Sequence, residues 1–127
     1  MQIISFAWTT PAFRARRKGC TRRDWTDDYA ARFKPGMVCQ AWDKTPRCRG
    51  AKKIGTIRIL SKTKEPYCDV PDSDWEAEGF AYLEEAGVMC NGSTPGDLFA
   101  LWRLRPNTWI CWVVRFEILT VEGEVTE

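Results

Sequence analysis

The chain has 127 residues and a formal net charge of +2, and 44% of its residues are hydrophobic. This length fits a single domain over residues 1–127, and the composition excludes extensive disorder. The sequence contains no histidine, which excludes Ser-His-Asp triads, Cys-His dyads and histidine metal sites. Any catalysis must therefore use lysine, hydroxyl, thiol or carboxylate groups.

The first half of the chain predicts short strands separated by short helices. Thr10 and Pro11 predict a helix start, and Gly19 its end. Thr26 predicts the cap of a second helix. The expected elements are a strand over 2–7, a helix over 12–17, a helix over 29–33, a strand over 37–43, a basic loop over 44–52 and a strand over 54–60.

The second half predicts helices followed by one long strand. The expected elements are a helix over 74–85 kinked at Gly79, a loop over 88–96, a helix over 95–104 and a strand over 109–119. Trp102, Trp109 and Trp112 lie in apolar elements and are expected in the core. Strands with helices inserted between them indicate an α+β fold, a small, partly closed β-barrel with short helices packed around it.

Nothing in the sequence indicates a membrane or a metal. The longest apolar run, residues 109–114, is far below the roughly 18 residues that a spanning helix needs. The first residues lack a signal peptide, so we expect a cytoplasmic protein with reduced cysteines. No two cysteines have Cys-x-x-Cys spacing. We therefore predict no metal site and no cofactor.

Charge is distributed very unevenly along the chain. Residues 1–64 contain 16 lysines and arginines against four aspartates, whereas residues 65–102 contain nine acidic residues and no lysine or arginine. One interpretation is a basic face that binds phosphate or another anion. The other is that the two halves attract each other on folding. The sequence alone supports both equally.

The densest charge lies in residues 14–23, here called the basic segment, where six of ten residues are basic. We predict that this segment forms the working surface, because it spans a helix end and a glycine turn where backbone N–H groups can bind an anion. Within it, Lys18, Thr21 and Arg23 form a Lys-x-x-Thr-x-Arg pattern.

This pattern and its surroundings resemble the ASCH domain, a branch of the RNA-associated PUA-like β-barrel superfamily. That family carries Gly-x-Lys-x-x-Thr-x-Arg after its first helix; here Arg16 replaces the glycine. The resemblance spans about residues 2–119 and leaves an acidic tail over 120–127. The other matching segments are Phe6-Ala7-Trp8-Thr9-Thr10-Pro11, Phe33-Lys34-Pro35-Gly36, Trp75-Glu76-Ala77-Glu78-Gly79-Phe80 and Val113-Val114-Arg115-Phe116-Glu117.

The resemblance implies an amidohydrolase that removes the acyl group from N4-acetylcytidine with a Lys, a Thr and a Glu. Lys18 and Thr21 match the first two, and Glu78 is the match for the third, with Glu76 a weaker candidate. A threonine hydroxyl needs a base to become a nucleophile, and without histidine that base is a neutral lysine. Like charges disfavour the ammonium form of Lys18; those nearest in sequence are Arg16, Arg17, Arg22 and Arg23.

The expected substrate contacts are aromatic and cationic. Trp8 and Trp25 are placed to stack on a base, a contact worth roughly 1–3 kcal/mol. Arg17 and Arg23 are the predicted cationic contacts, and Arg23 or backbone N–H groups would hold an oxyanion. Cys20 lies within the basic segment, where a low-pKa thiol is also conceivable.

Three other interpretations stay open. Without the resemblance, Lys18 and Thr21 fit a helix end and a turn, and Glu78 fits a solvent-facing helix position. The same cleft could bind RNA without chemistry, or cleave it as a ribonuclease, and the basic loop over 44–53 favours nucleic acid. A partner-binding protein with an inactive site is the third possibility. The predicted partners are thus a modified cytosine nucleoside or RNA, and the oligomeric state is undetermined.

Overall fold

The computed structural model describes residues 1–124 as one curved sheet with short helices packed against it. The strands are β1 (Ile3–Ser5), β2 (Cys20–Arg23), β3 (Val38–Trp42), β4 (Lys53–Pro66) and β5 (Ile110–Val121). The helices are α1 (Thr10–Arg14), α2 (Asp27–Ala30), α3 (Asp74–Ala77), α4 (Phe80–Glu85) and α5 (Pro95–Leu104). Within the described residues, no helix has the length and apolar character needed to cross a membrane.

The strand order is β1-β3-β4-β5-β2. β1 runs parallel to β3, and the other neighbours are antiparallel. β1 and β2 are therefore the two edges of an open sheet. The α+β class predicted from sequence is confirmed, whereas the sheet does not close through backbone pairing into the expected partial barrel.

Buried side chains form one cluster on each face of the sheet. Successive residues of a strand point to opposite faces, and in β5 Val113 belongs to one cluster and Val114 to the other. Phe13 of α1 packs in the Val114 cluster, whereas Phe80 of α4 and Trp102 of α5 pack in the Val113 cluster. The apolar run of β5 thus reflects a strand that is covered on both faces.

The helix after β1 is shorter than predicted. α1 begins at Thr10, and Thr9 rather than Thr10 occupies the cap position. It ends at Arg14, before the expected Gly19, because Arg16 adopts a left-handed conformation with φ 59°. Glycine is the usual residue at such a helix end. The ASCH motif that the sequence resembles has glycine at position 16, and the backbone conformation of Arg16 is one that favours glycine.

Residues 20–23 form β2, which the sequence did not predict. β2 pairs antiparallel with β5, from Cys20 opposite Arg115 to Arg23 opposite Trp112. Further along, Thr26 caps α2 as predicted, since its hydroxyl accepts a hydrogen bond from the Tyr29 N–H. The predicted strand over 54–60 is longer, because β4 runs on to Pro66.

The second half follows the prediction with small changes. The predicted kink at Gly79 is a full break between α3 and α4, with φ 93° at Gly79. The helix α5 has the predicted first and last residues. Trp102 is buried as expected, but Trp109 is 52% exposed and Trp112 only half-buried. Of the predicted acidic tail, residues 120–121 complete β5, and residues 125–127 lie outside the described residues.

Candidate active site

A small cavity opens between the two edge strands, next to the break between α3 and α4. Its volume is about 200 Å³. Lys18, Thr21 and Glu78, the three predicted catalytic residues, all line it, and each is at most 5% exposed. The remaining lining residues are Ser5, Phe6, Ala7, Trp8, Thr9, Arg22, Arg23 and Trp102.

Lys18 is buried beside an acidic residue. Its Nζ donates to the Glu78 backbone carbonyl at 2.6 Å and lies 3.5 Å from Glu78 Oε1. Burial lowers the pKa of the Lys18 amine, and the opposing attraction of Glu78 does not cancel that effect. Arg23 also lowers it. Burial, rather than the run of neighbouring arginines, is thus the main reason that this amine loses its proton more easily than an exposed lysine.

The Thr21 hydroxyl is oriented by the next basic residue of β2. Arg23 Nε donates to Thr21 Oγ1 at 2.9 Å, and Arg23 Nη2 donates to the Ser5 backbone carbonyl at 2.6 Å. Because Thr21 Oγ1 accepts from Arg23, its own proton is free to be donated to a base. Arg23, predicted as a substrate contact, therefore also positions the hydroxyl and links the two edge strands.

Glu78 lines the cavity just before Gly79, where the chain passes close to α1. Gly79 has φ 93°, and a Cβ on it would lie 2.7 Å from the Ala12 Cβ. A side chain at Gly79 would therefore push the break between α3 and α4 away from α1. The Glu78 carboxylate is fixed by Arg22 Nη1, which donates to Oε2 at 2.7 Å, and by the Cys20 thiol at 3.3 Å.

A buried charge network that the sequence did not predict lies behind the site. Asp74 is 1% exposed, and its carboxylate accepts from Arg22 at 2.6 Å and from Arg115 at 2.9 and 3.0 Å. Burial would raise the pKa of Asp74, but the hydrogen bonds from Arg115 and Arg22 outweigh it and hold the pKa below its usual range. Arg22 thereby joins Asp74 to Glu78. From the sequence, Asp74 was identified only as part of a helix start and not as a member of a buried network.

The predicted tryptophan contacts lie in two places. Trp8 lines the cavity, and its ring is stacked on Phe80 with an interplanar angle of 6°. Trp25 lines a neighbouring groove and packs on Phe33. Trp102, expected as a core residue, is another aromatic wall of the cavity.

Arg17 and Glu76 lie outside the cavity lining. Arg17 Nε and Nη1 form ion pairs with Glu76 at 2.9 Å and with Glu85 at 2.5 Å. Both residues line a separate, shallower depression. Of the two glutamates considered from sequence, the structure thus brings Glu78 to Lys18 and Thr21, and Glu76 to Arg17.

Most of the basic segment is neutralised within the protein. Arg16 pairs with Glu124, Arg17 with Glu76 and Glu85, and Arg22 with Asp74 and Glu78. Apart from Glu124, these partners all come from the acidic stretch over 65–102. The attraction of the two halves on folding therefore accounts for much of the charge pattern here, and most cations of the predicted anion-binding surface over residues 14–23 have carboxylate partners within the protein.

The thiol alternative is also excluded at Cys20. Burial raises the pKa of this thiol, as does the nearby Glu78 carboxylate, so Cys20 is a neutral hydrogen-bond donor rather than a nucleophile. All six cysteines are free. No cluster of three or more Cys, Asp or Glu side chains suited to a metal ion occurs within residues 1–124.

Comparison with known proteins supports the fold. No family model matches the chain, and no curated protein matches it. A similar solved structure is the crystal structure of protein EF3133 from Enterococcus faecalis V583, described by the family model DUF984. It has a TM-score of 0.60 and 15% identity, and the match covers 99% of this chain and 84% of that chain. At this identity the likeness concerns the fold alone.

Proposed function

We propose that the chain is an ASCH-type, PUA-like amidohydrolase that removes the acyl group from N4-acylated cytosine nucleosides. The observation that supports this best is the convergence of Lys18, Thr21 and Glu78 on one cavity, with their side chains buried. Two of them come from the segment around β2, and the third, Glu78, lies 57 residues after Thr21. Charged groups are rarely buried without a partner or a function, and perturbed groups in a cleft often mark functional sites.

In the proposed reaction, the neutral Lys18 amine takes the proton of Thr21 Oγ1. The oxygen attacks the acyl carbonyl carbon and forms a tetrahedral intermediate, whose negative charge is stabilised by the guanidinium of Arg23. The bond from carbon to N4 then breaks. The proton held by Lys18 passes through Glu78 to N4, which leaves as the amino group of cytosine. Water then attacks the acyl carbon of the acyl-threonine ester, the bond from that carbon to Thr21 Oγ1 breaks, the acyl group leaves as a carboxylic acid and the Thr21 hydroxyl is restored.

The cavity suits a base better than a whole nucleoside. Drug-sized ligand pockets have volumes of about 300–1,000 Å³, and this cavity of about 200 Å³ is smaller. Trp8 and Trp102 provide aromatic walls, on which a pyrimidine can stack. The acylated base would enter the cavity, and the sugar would stay at its mouth.

The test is hydrolysis of N4-acetylcytidine, followed by absorbance as cytidine forms. We expect Thr21→Ala and Lys18→Met each to lower kcat by at least about a hundredfold, because each removes a group that takes part in the chemical step. Thr21→Ser, which keeps a hydroxyl, should retain much more activity. Circular dichroism and thermal unfolding would show that the variants fold. Near-normal turnover by Thr21→Ala would refute the mechanism.

A second candidate is a polynucleotide-binding module without chemistry. It is favoured by the exposed cations Lys44, Arg47, Arg49 and Lys52, which form no ion pair with any residue of the described part. Such a module would bind RNA with an affinity that falls steeply with salt and would leave N4-acetylcytidine unchanged.

A further inference from the structure

A groove lies directly beside the cavity and shares a wall with it. Its volume is about 610 Å³, about three times that of the cavity. Ser5 and Arg23 line both spaces. The hydrogen bond from Arg23 Nη2 to the Ser5 carbonyl therefore forms part of the boundary that the two spaces share.

The groove has an aromatic platform held rigidly in place. Trp25 stacks on the buried Phe33 with ring centroids 4.3 Å apart and an interplanar angle of 16°. Tyr29 packs against the same indole in a T-shaped arrangement, with centroids 5.5 Å apart. Since Phe33 covers one face of the Trp25 ring, the opposite face is the one available to a ligand. A base can stack there without the ring having to move.

Positive charge lies on the other side of the groove. Arg47 lines it together with Thr45 and Pro46 of the loop between β3 and β4. Arg47 is exposed and has no carboxylate partner within residues 1–124. This arrangement differs from that of the basic segment, whose cations are mostly paired. A phosphate that enters the groove would thus meet a guanidinium that is free to bind it.

We propose that this groove binds the nucleotide next to the acylated cytidine, so that the preferred substrate is a single-stranded polynucleotide rather than a free nucleoside. This inference rests on the proposed function. The neighbouring base stacks on Trp25, and the phosphate that joins the two nucleotides passes Arg23 and Arg47. Stacking on an aromatic platform beside a basic groove is a general way of binding single strands with little sequence preference.

The experiment compares N4-acetylcytidine with a three-nucleotide RNA that carries N4-acetylcytidine at its centre. Kcat/KM for both substrates is measured for the wild type, for Trp25→Leu, which keeps apolar packing on Phe33, and for Arg47→Ala. Arg103→Ala is the matched control, because Arg103 lies on α5 and pairs with Asp72. A second measurement is the binding of the same RNA with plain cytidine, by fluorescence anisotropy.

We expect the wild type to prefer the trinucleotide. Trp25→Leu should reduce that preference by about tenfold, the size of one lost stacking contact, and Arg47→Ala should reduce it as well, through loss of the phosphate contact. Arg103→Ala should keep the wild-type preference. Equal kcat/KM for the two substrates in the wild type, or an unchanged preference in both groove variants, would overturn the inference. If no form hydrolyses either substrate, the proposed function fails. In that case the binding measurement tests the groove by itself. An equal Kd for the RNA in the wild type and in both groove variants would show that the groove does not bind a polynucleotide.

Discussion

Two basic stretches of this chain have similar composition and different surroundings. The basic segment over 14–23 faces the carboxylates of α3, α4 and the end of β5, and its Lys18 and Arg22 are buried. In the loop over 44–53, Lys44, Arg47 and Arg49 are exposed and form no ion pair with a described residue. A cluster of cations therefore predicts a binding surface only where the fold leaves it without internal partners.

This difference bears on two roles, catalysis and anion binding, that the sequence analysis had both given to the basic segment. In the basic segment, burial and pairing prepare individual groups: an amine with a lowered pKa and a hydroxyl held by Arg23. In the loop, the charge stays in solvent, where it attracts anions over several ångströms and is screened by salt. Under the proposed function, the chemistry would therefore belong to the first stretch and the attraction of a polyanion to the second.

The largest expected effect is that of Asp74→Ala. This change removes the carboxylate that holds both Arg22 and Arg115, so that Arg22 keeps only Glu78 as a buried partner. Breaking a buried pair from one side typically costs about 3–5 kcal/mol. Asp74→Asn keeps the size of the side chain and separates the loss of charge from the loss of volume. Urea unfolding of both variants measures the effect. A change below about 0.5 kcal/mol, the range of ordinary surface substitutions, would show that the network does not stabilise the fold.

A smaller effect is expected from pH. Burial lowers the pKa of Lys18 in the folded protein from the ordinary value of 10.5, so between the lowered pKa and that value the unfolded chain binds more protons at this site. The Lys18 contribution to the free energy of unfolding therefore rises with pH over this window. The free energy of unfolding of the wild type should therefore rise with pH relative to that of Lys18→Met over this window. Lys44→Met, at an exposed position, should show no such trend; an equal slope in both would contradict the burial argument.

The smallest effect on stability should come from the loop. Arg49→Ala should change the free energy of unfolding by less than about 0.5 kcal/mol, as for most surface substitutions. If Arg49 contacts one phosphate, the same variant should reduce the slope of log K against log salt for RNA binding by about one. Titration of a short RNA at several salt concentrations measures this slope. An unchanged slope would place the RNA away from Arg49.

The sequence predicted the elements whose local signals agree with their tertiary setting. Thr94 and Pro95 begin α5 at the expected residue, and the apolar run of β5 is an interior strand. β2 was missed because its charged residues hide the alternation of apolar and polar side chains that marks a strand. Thr21 and Arg22 are both buried, and no hydropathy pattern indicates burial of these residues. The end of α1 was misplaced because Arg16 adopts a conformation for which glycine is the usual signal.

The site was partly predictable for a similar reason. Lys18, Thr21 and Arg23 are close in sequence, so a local pattern could identify them. Glu78 could be matched by its place before Gly79, but its contact with Lys18 depends on the packing of the break between α3 and α4 against α1. Asp74 and its partners come from three distant segments, and only the fold places them together.

The bond between Arg23 and the Ser5 carbonyl has a consequence for how the molecule behaves in a concentrated solution. β1 and β2 are the outer strands of the sheet, and unpaired backbone groups on such strands invite pairing with a strand of another molecule. Here one guanidinium occupies an acceptor of β1 from a position on β2. The side chain that holds the candidate nucleophile thereby also removes one acceptor with which a strand of another molecule could pair.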